Sequence, residues 1–454
     1  MQGTHEWRTM FKGKRVTILG LGLVGRGVNV AKFLVECGAV LTITDLKTRE
    51  ALAPSLRALK KCKHIQYVLG RHELSGFRNA EMVIKAAGVP LDSPYIKEAK
   101  KNNIPVEMDA SLFAKLAPKG VKIVGVTGTR GKSTVSYLTW HILHRTVLGN
   151  RMAWLGGNIR GTATLPLLKK VKTGDIVVLE LDSWQLQGFG DARISPHIAV
   201  FTTFFQDHFN YYAGDMRRYF EDKANIFRHQ KRGGVLIAGD GVVRNIPQPF
   251  RKRTISVSPS DVPARWKIRI PGEHNRLNIA CAIAVCRALG VSEKDIKKGA
   301  ESFSGVEGRL QFLRTVRGIK IYNDNSSTTP EATIAALRAL DPLKQKKIVL
   351  IMGGDEKNLD MSVLIRMIPH HCSKVILFKE RGTDRIREDV FAKERDEVRV
   401  YEEDGLKNCV SRAFAVAKRG ETILYSPAFS SFGKYFKNEY DRGDQFVRFV
   451  EKLK

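Results

Sequence analysis

Several things are missing from this sequence. Six cysteines are scattered over 454 residues with no Cys-x-x-Cys pair, so neither a zinc-finger framework nor a disulfide pattern can be read from them. No apolar run approaches the ~20 residues needed to span a bilayer. The opening stretch MQGTHEWRTMFKGKRV lacks the apolar segment of a signal peptide. These absences predict a cytoplasmic protein with reduced thiols and no membrane insertion, and place Cys281 and Cys286, which lie in an apolar helical run, in a core. There is no arginine-rich tail, internal repeat or low-complexity linker. The formal charge is +30, yet the basic residues are spread along the chain and often sit beside acids. That pattern reads as a solvated surface favouring anionic substrates such as nucleotides, with no nucleic acid as partner.

What is present is the composition of a globular protein, 43% hydrophobic and 27% charged, so sizeable cores can form. The length exceeds what one core supports and suggests about three domains at ~150 residues each. Strands alternate with helices throughout, which predicts an α/β fold with largely parallel sheets.

The most informative stretch is Gly125-Val-Thr-Gly128-Thr-Arg-Gly131-Lys132-Ser133-Thr134, between a buried strand read over Val121–Val126 and a helix read over Val135–Leu143. Glycines there let backbone N–H groups approach anionic oxygens at a helix N-terminus, where the dipole is positive. Lys132 is placed to reach nucleotide phosphates, and the Ser133 or Thr134 hydroxyl to hold Mg²⁺. The strict nucleotide-loop spacing is not met, because Val126 stands where its first glycine belongs.

An earlier segment has the features of a dinucleotide fingerprint. Strand Arg15–Leu19 leads into Gly20-Leu-Gly22-Leu23-Val24-Gly25, a helix near Val28–Cys37, and strand Val40–Thr44 ending at Asp45, an acid placed for a ribose-type hydroxyl. Alone it reads as NAD binding. A second phosphate turn a hundred residues later allows another reading, in which this segment holds the nucleotide part of a substrate.

Two strand ends in the central part carry metal-type ligands. Strand Asp175–Leu181 brings Glu180 to its carboxyl end, either as a solvated strand-end carboxylate or as a ligand. Strand Ile198–Thr203 leads to Asp207-His208, which makes a shared Mg²⁺ and phosphate site more credible. In the helix through Met216, Tyr219, Phe220, Ile226 and Phe227, Lys223 falls on the apolar stripe at the place of a hydrophobic residue. It either snorkels to the surface or is buried and needs a partner or a chemical change to its charge. Asn275 and Asn278, one helical turn apart before the apolar run Ile279–Leu289, suit either a flat base or helix caps. In the last part, the strands read are Ile319–Asn323, Lys347–Met352, Lys374–Phe378 and Glu421–Tyr425, with a helix over Glu331–Leu340. Asp324 and the hydroxyl-rich run to Thr329 follow the first of these strands, and Ser426 to Gly433 follows the last.

Taken in order, these segments resemble the Mur ligase family, the ATP-dependent amide-forming enzymes of peptidoglycan synthesis. The pieces that carry the likeness are Gly20–Gly25 with Asp45, GTRGKST, Gly157-Asn158, LELDSWQL, Asp207-His208, Lys223, GEHNRLN, Gly305 to Arg309, Tyr322-Asn323-Asp324, GGDEK, and SPAFSSF with Arg442-Gly443. Within the family the chain is most like the branch that adds D-glutamate to UDP-N-acetylmuramoyl-L-alanine.

The resemblance implies three domains: a Rossmann-like domain over 1–107 for the UDP substrate, a central P-loop-type ATPase domain over 108–305, and a Rossmann-like domain over 306–454 for the amino acid. It implies ATP held by Gly128, Thr129, Arg130, Gly131, Lys132, Ser133, Thr134, Asn275, Asn278, Arg309 and Asp324. It implies two Mg²⁺ ions around Ser133, Glu180, His208 and a carbamylated Lys223, with Lys132, His208 and Lys223 catalytic. Gly22, Leu23, Val24, Asp45 and Asn158 are expected at the UDP substrate, and Thr328, Lys357, Ser431 and Phe432 at the amino acid, in a monomeric enzyme.

The chain departs from the family pattern in places. Ser326 stands for a family lysine, Gly308 for the histidine before Arg309, and Asn210 for an acid, and the segment after Ser431 is one residue longer. Lys357, Lys434 or Lys437 is expected to replace the missing charge. These departures keep open a family ligase that adds a different amino acid. A dinucleotide-binding protein is the reading from another class.

Overall fold

The computed structural model describes residues 6–454 except 24, 147, 148, 150, 208, 397 and 432. By its internal contacts the chain forms two compact units, Met1–Asp261 with Leu277–Gly299, and Val262–Arg276 with Ala300–Lys454.

The first unit contains two sheets. One comprises β1 (Arg15–Leu19), β2 (Val40–Asp45), β3 (Ile65–Leu69), β4 (Met82–Lys85) and β5 (Val106–Glu107), ordered β3-β2-β1-β4-β5 and parallel throughout. The order reverses between β1 and β4, which opens a crevice at their carboxyl ends. The other comprises β6 (Lys122–Thr127), β7 (Ala153–Gly157), β8 (Ile176–Glu180), β9 (Ile198–Phe201), β10 (Val235–Gly239) and β11 (Thr254–Val257), ordered β11-β10-β9-β6-β8-β7 and also parallel. Strands β6, β8 and β9 are apolar and buried on both faces, as parallel strands flanked by helices must be.

A single apolar core joins the two sheets, with Phe33 and Leu41 at one end and Leu179 and Phe201 at the other. Asp109 fastens the junction. Its buried carboxylate accepts the backbone N–H groups of Thr164 at 2.8 Å and Leu165 at 2.7 Å.

The second unit holds β12 (Gln311–Val316), β13 (Ile319–Asn323), β14 (Ile348–Met352), β15 (Cys372–Phe378), β16 (Arg399–Glu403) and β17 (Thr422–Tyr425), ordered β12-β13-β17-β14-β15-β16. Only β12 runs antiparallel. Alternation along the strands fills two cores, with Leu350, Met352 and Leu377 on one face and Val349, Ile351 and Ile376 on the other.

The expected α/β class holds, and most strand ends fall within a residue or two of expectation. Eight strands escaped the sequence reading: β3, β4, β5, β7, β10, β11, β12 and β16. Two helices begin earlier than read. The one after β6 spans Lys132–Arg145, and the one carrying Asn275 and Asn278 spans Glu273–Ala288. Those asparagines therefore lie inside the helix, and the capping alternative is corrected. Cys281 and Cys286 are buried. Among the described residues, no helix is long and apolar enough to cross a membrane.

Candidate active site

The turn after β6 is built on glycines at positions where a side chain would be strained or crowded. Gly128 has φ 146°, and a Cβ there would lie 2.0 Å from the Thr202 hydroxyl oxygen. Gly131 caps the following helix with φ 89°, and its Cβ would meet the Asn278 side-chain oxygen at 2.3 Å. Threonines of the neighbouring strand end pin the turn. The Thr129 N–H donates to the Thr203 carbonyl at 2.8 Å, and the Arg130 N–H to the Thr203 hydroxyl at 2.9 Å. Ser133 and Thr134 occupy the buried first turn of the helix, where free N–H groups and the dipole favour an anion.

Two lysines converge here. Lys132 Nζ donates to the carbonyls of Gly128 and Thr129, each at 3.0 Å, and Lys223 Nζ donates to the same Gly128 carbonyl at 3.1 Å. Lys223 is 1% exposed, so the snorkelling alternative is excluded. Its ammonium lies 4.7 Å from the centre of the Tyr219 ring. Burial pushes its pKa well below the usual lysine value, the Lys132 charge adds to the fall, and Asp182, Asp207 and Asp222 oppose it.

Glu180 closes β8 with its side chain buried. Asp182 follows as the cap of the next helix and forms a reciprocal capping box with Gln185. Asp207 faces Arg130, with 3.8 Å between carboxylate and guanidinium. His208 lies outside the described residues. Among the described residues no three His, Cys, Asp or Glu side chains cluster as a metal site. The hydroxyl and carboxylate groups around the turn are hard oxygen donors, the type Mg²⁺ takes in ones and twos beside phosphate oxygens.

At the crevice of the first sheet, Gly22 has φ 65° and lies on a turn whose N–H groups are held by Asp45. The Asp45 carboxylate accepts from Leu21 N–H at 2.9 Å and Gly22 N–H at 3.0 Å. Leu23 is exposed, and Val24 lies outside the described residues. Gly25 caps the next helix, Arg26–Glu36, and Arg26 Nη2 donates to the Asn158 side-chain oxygen at 2.8 Å. The crevice opens into a cavity of about 450 Å³ whose wall includes Gly22, Arg26, Asp45, Lys85, Asp109 and Gln185.

The sequence reading does not include β4, so Lys85, its last residue, goes unnoticed there. It also missed Asp222, whose half-buried carboxylate accepts from Gln187 Nε2 at 2.8 Å and the Tyr212 hydroxyl at 2.9 Å.

In the second unit, the loops after β13, β14 and β17 meet at the carboxyl end of the sheet. Asp324 is buried and accepts from Leu310 N–H at 2.8 Å and from the hydroxyls of Ser426 and Ser327. Burial raises its pKa to about 6, against the opposing pull of those hydrogen bonds. Lys357 Nζ donates to the Thr328 hydroxyl at 3.1 Å, so of the three lysines expected to replace the family lysine at Ser326, this one reaches the loop.

Arg442, also missed as a working residue, is fully buried. It donates to the Asn325 side-chain oxygen at 2.7 Å and carbonyl at 2.9 Å, and to the carbonyls of Phe429 at 3.1 Å and Ser430 at 3.0 Å. Ser431 is buried on the loop after β17, and Phe432 lies outside the described residues. Arg309 is exposed. Asn275 donates to the Pro271 carbonyl at 2.7 Å.

Comparison with known proteins matches three family descriptions along the chain: "Mur ligase MurD-like, N-terminal domain" over residues 14–107, "Mur ligase middle domain" over 126–261, and "Mur ligase, glutamate ligase domain" over 308–429. The UDP-N-acetylmuramoylalanine–D-glutamate ligase of Roseiflexus sp. (strain RS-1) is 34% identical, over 97% of this chain and 98% of its own. Among solved structures, UDP-N-acetylmuramate-alanine ligase MurC from Thermotoga maritima superposes with TM-score 0.62 at 19% identity, covering 96% of this chain and 99% of its own. MurF ligase from the same organism, in complex with ADP, gives TM-score 0.58 at 16% identity over 97% and 95%.

Proposed function

This chain belongs to the Mur ligase family, and from that premise we propose which of its residues carry each part of the ligase reaction. It acts as an ADP-forming ligase that joins D-glutamate to UDP-N-acetylmuramoyl-L-alanine in peptidoglycan precursor synthesis. The observation that carries the residue assignment is the meeting of Lys132 and Lys223 on the Gly128 carbonyl, at a helix N-terminus built for phosphate.

A carboxylate is a poor electrophile. One oxygen of the acceptor carboxylate bonds to the γ-phosphorus of ATP, the bond from that phosphorus to the bridging oxygen breaks, and ADP leaves with the electron pair. Lys132 lies on the turn and neutralises charge that builds on the phosphates, while the N–H groups around Gly131 to Ser133 hold their oxygens. The D-glutamate amine then bonds to the acyl carbon and loses a proton, and the tetrahedral adduct expels phosphate. In this reading Asn275, Asn278, Arg309 and Asp324 help hold ATP. Gly22, Asp45 and Asn158 hold the UDP substrate, and Thr328, Lys357 and Ser431 hold the amino acid.

The oxygen donors fit Mg²⁺, which would be held by Ser133, Glu180 and a carbamate on Lys223; when bound it shields phosphate charge. The buried Lys223 amine suits carbamate formation. The ammonium gives up one proton, the free amine nitrogen bonds to the carbon of CO₂ and gives up a second, and a cation facing Lys132 becomes an anion attracted to it.

The test is ATP-dependent phosphate release with UDP-N-acetylmuramoyl-L-alanine and a panel of amino acids. Turnover with D-glutamate alone supports this reading, and absence of turnover with every amino acid would overturn it. A second reading, a different amino acid, is favoured by one observation: with Ser326 in the loop, a lysine from another segment, Lys357, reaches it. Turnover with another amino acid alone would select that reading.

A further inference from the structure

Lys85 is buried and, among the described residues, lacks the ion pair that a buried cation normally requires. Its side chain is 3% exposed, and its ammonium makes one hydrogen bond, to the Val89 carbonyl at 3.0 Å. An ammonium has three donors, so two of its N–H groups have no hydrogen-bond acceptor among the described residues. Lys85 ends β4 beside β1, in register with Leu19, at the reversal of strand order. The residues after it press on the glycine turn that follows β1, so closely that a Cβ on Gly20 would lie 2.9 Å from the Ala86 Cβ.

The cavity that Lys85 lines already has its acids engaged. Asp45 accepts the N–H groups of Leu21, Gly22 and Lys47, and Asp109 those of Thr164 and Leu165. Its cations are less well satisfied. Arg26, on the same wall, has a buried Nε with no hydrogen-bond partner among the described residues. Two under-satisfied cations flanking a glycine turn and a helix N-terminus form a site for a polyanion with several oxygens.

We propose that Lys85 is a further substrate-binding residue, its ammonium meeting an oxygen of the acceptor's diphosphate. This rests on the reading of the first sheet's crevice as the UDP-substrate site. Burial lowers the Lys85 pKa to about 8, with Asp182, Asp191 and Asp222 opposing the fall and Lys100 adding to it. A bound diphosphate would restore the charge that burial discourages.

The test compares binding of UDP and of uridine, by calorimetry, to the full chain and to its Lys85→Gln and Lys85→Arg variants. Glutamine keeps a donor for the Val89 carbonyl and removes the charge. Lys85→Gln is expected to weaken UDP by about 10-fold to 100-fold, the range of a charge-assisted hydrogen bond, and to leave uridine unchanged. Lys85→Arg is expected to retain most UDP affinity. In the wild type, the preference for UDP over uridine is expected to shrink as pH rises through about 8, which needs no variant to fold.

Unchanged UDP affinity in Lys85→Gln, or equal losses of UDP and uridine, would overturn the proposal. A wild type that binds neither UDP nor UDP-N-acetylmuramoyl-L-alanine would instead overturn the acceptor-site reading on which it rests.

Discussion

The chain uses the same backbone device twice, and the two uses differ in what surrounds the glycines. Gly25 and Gly131 both cap a helix in the left-handed conformation, each with φ 89°, after a parallel strand and a glycine turn. At the first turn a Cβ on Gly22 would meet nothing within 4 Å. At the second a Cβ on Gly128 would strike Thr202. The first turn faces a cavity and is steadied by an acid, Asp45, from the neighbouring strand. The second is packed against protein and carries lysines on its carbonyls. A glycine-rich turn therefore says that anionic oxygens can approach a helix N-terminus. The side chains brought to it by adjacent strands say which anion, and whether chemistry follows.

Substitutions at the two turns break this comparison in graded steps. The largest effect is expected at the lysines of the second turn. Lys132→Met should reduce turnover by about 1,000-fold, as removal of a group that stabilises developing charge does. Lys223→Ala should lose activity and regain part of it with added short carboxylic acids. Steady-state rates with and without acetate or formate check this, and absence of rescue would count against the carbamate.

Next is Gly128→Ala, expected to cost about 100-fold in turnover through displacement of the loop. The matched change Gly22→Ala should carry only the strain of a left-handed alanine, roughly 1–2 kcal/mol, read in thermal stability and acceptor KM. Equal losses at the two glycines would erase the distinction. Asp45→Asn should raise the acceptor KM by about 10-fold with kcat unchanged, because it removes a charge-assisted hold on two N–H groups.

An effect on stability with no change expected in rate concerns a third strand-to-helix turn, after β13, where the acid lies within the turn itself. Asp324 has a folded pKa of about 6, above its ordinary value of 3.8. The proton is bound more tightly in the folded state, so this residue's stability contribution is full below about pH 4 and is lost as pH rises through about 6. Between pH 4.5 and pH 7, urea unfolding should lose more stability in the wild type than in Asp324→Asn, by roughly 2 kcal/mol. A difference that does not change with pH would show that the carboxyl is ionised throughout.

Local signals in the sequence reached further than tertiary ones. Lys223 was legible because it breaks a helical stripe, and the phosphate turn because glycine, lysine and hydroxyl follow a buried strand. The helix after β6 begins at Lys132 and not at Val135 because its capping signal is the left-handed Gly131, while the polar Lys-Ser-Thr run looks like loop. Strand β7, Ala-Trp-Leu-Gly-Gly, lacks β-branched residues and is held by pairing to β8 along its length. Lys85 breaks no alternation in a strand of four residues. Arg442 could not be recognised as a clamp, because each group it binds lies at least 12 positions away.

The Arg442 fork also has a consequence for the order in which the enzyme becomes competent. It lies 117 positions after Asn325, and its donors tie the loop after β13 to the loop after β17. On the ribosome, at about 5–20 residues per second, the β13 loop waits some seconds after its own emergence before that clamp exists. The first unit's glycine turns are complete well before then. Nascent chains halted short of Arg442 would be expected to bind nucleotide and yet lack a fixed place for the incoming amino acid, so synthesis itself defers the second half of the reaction.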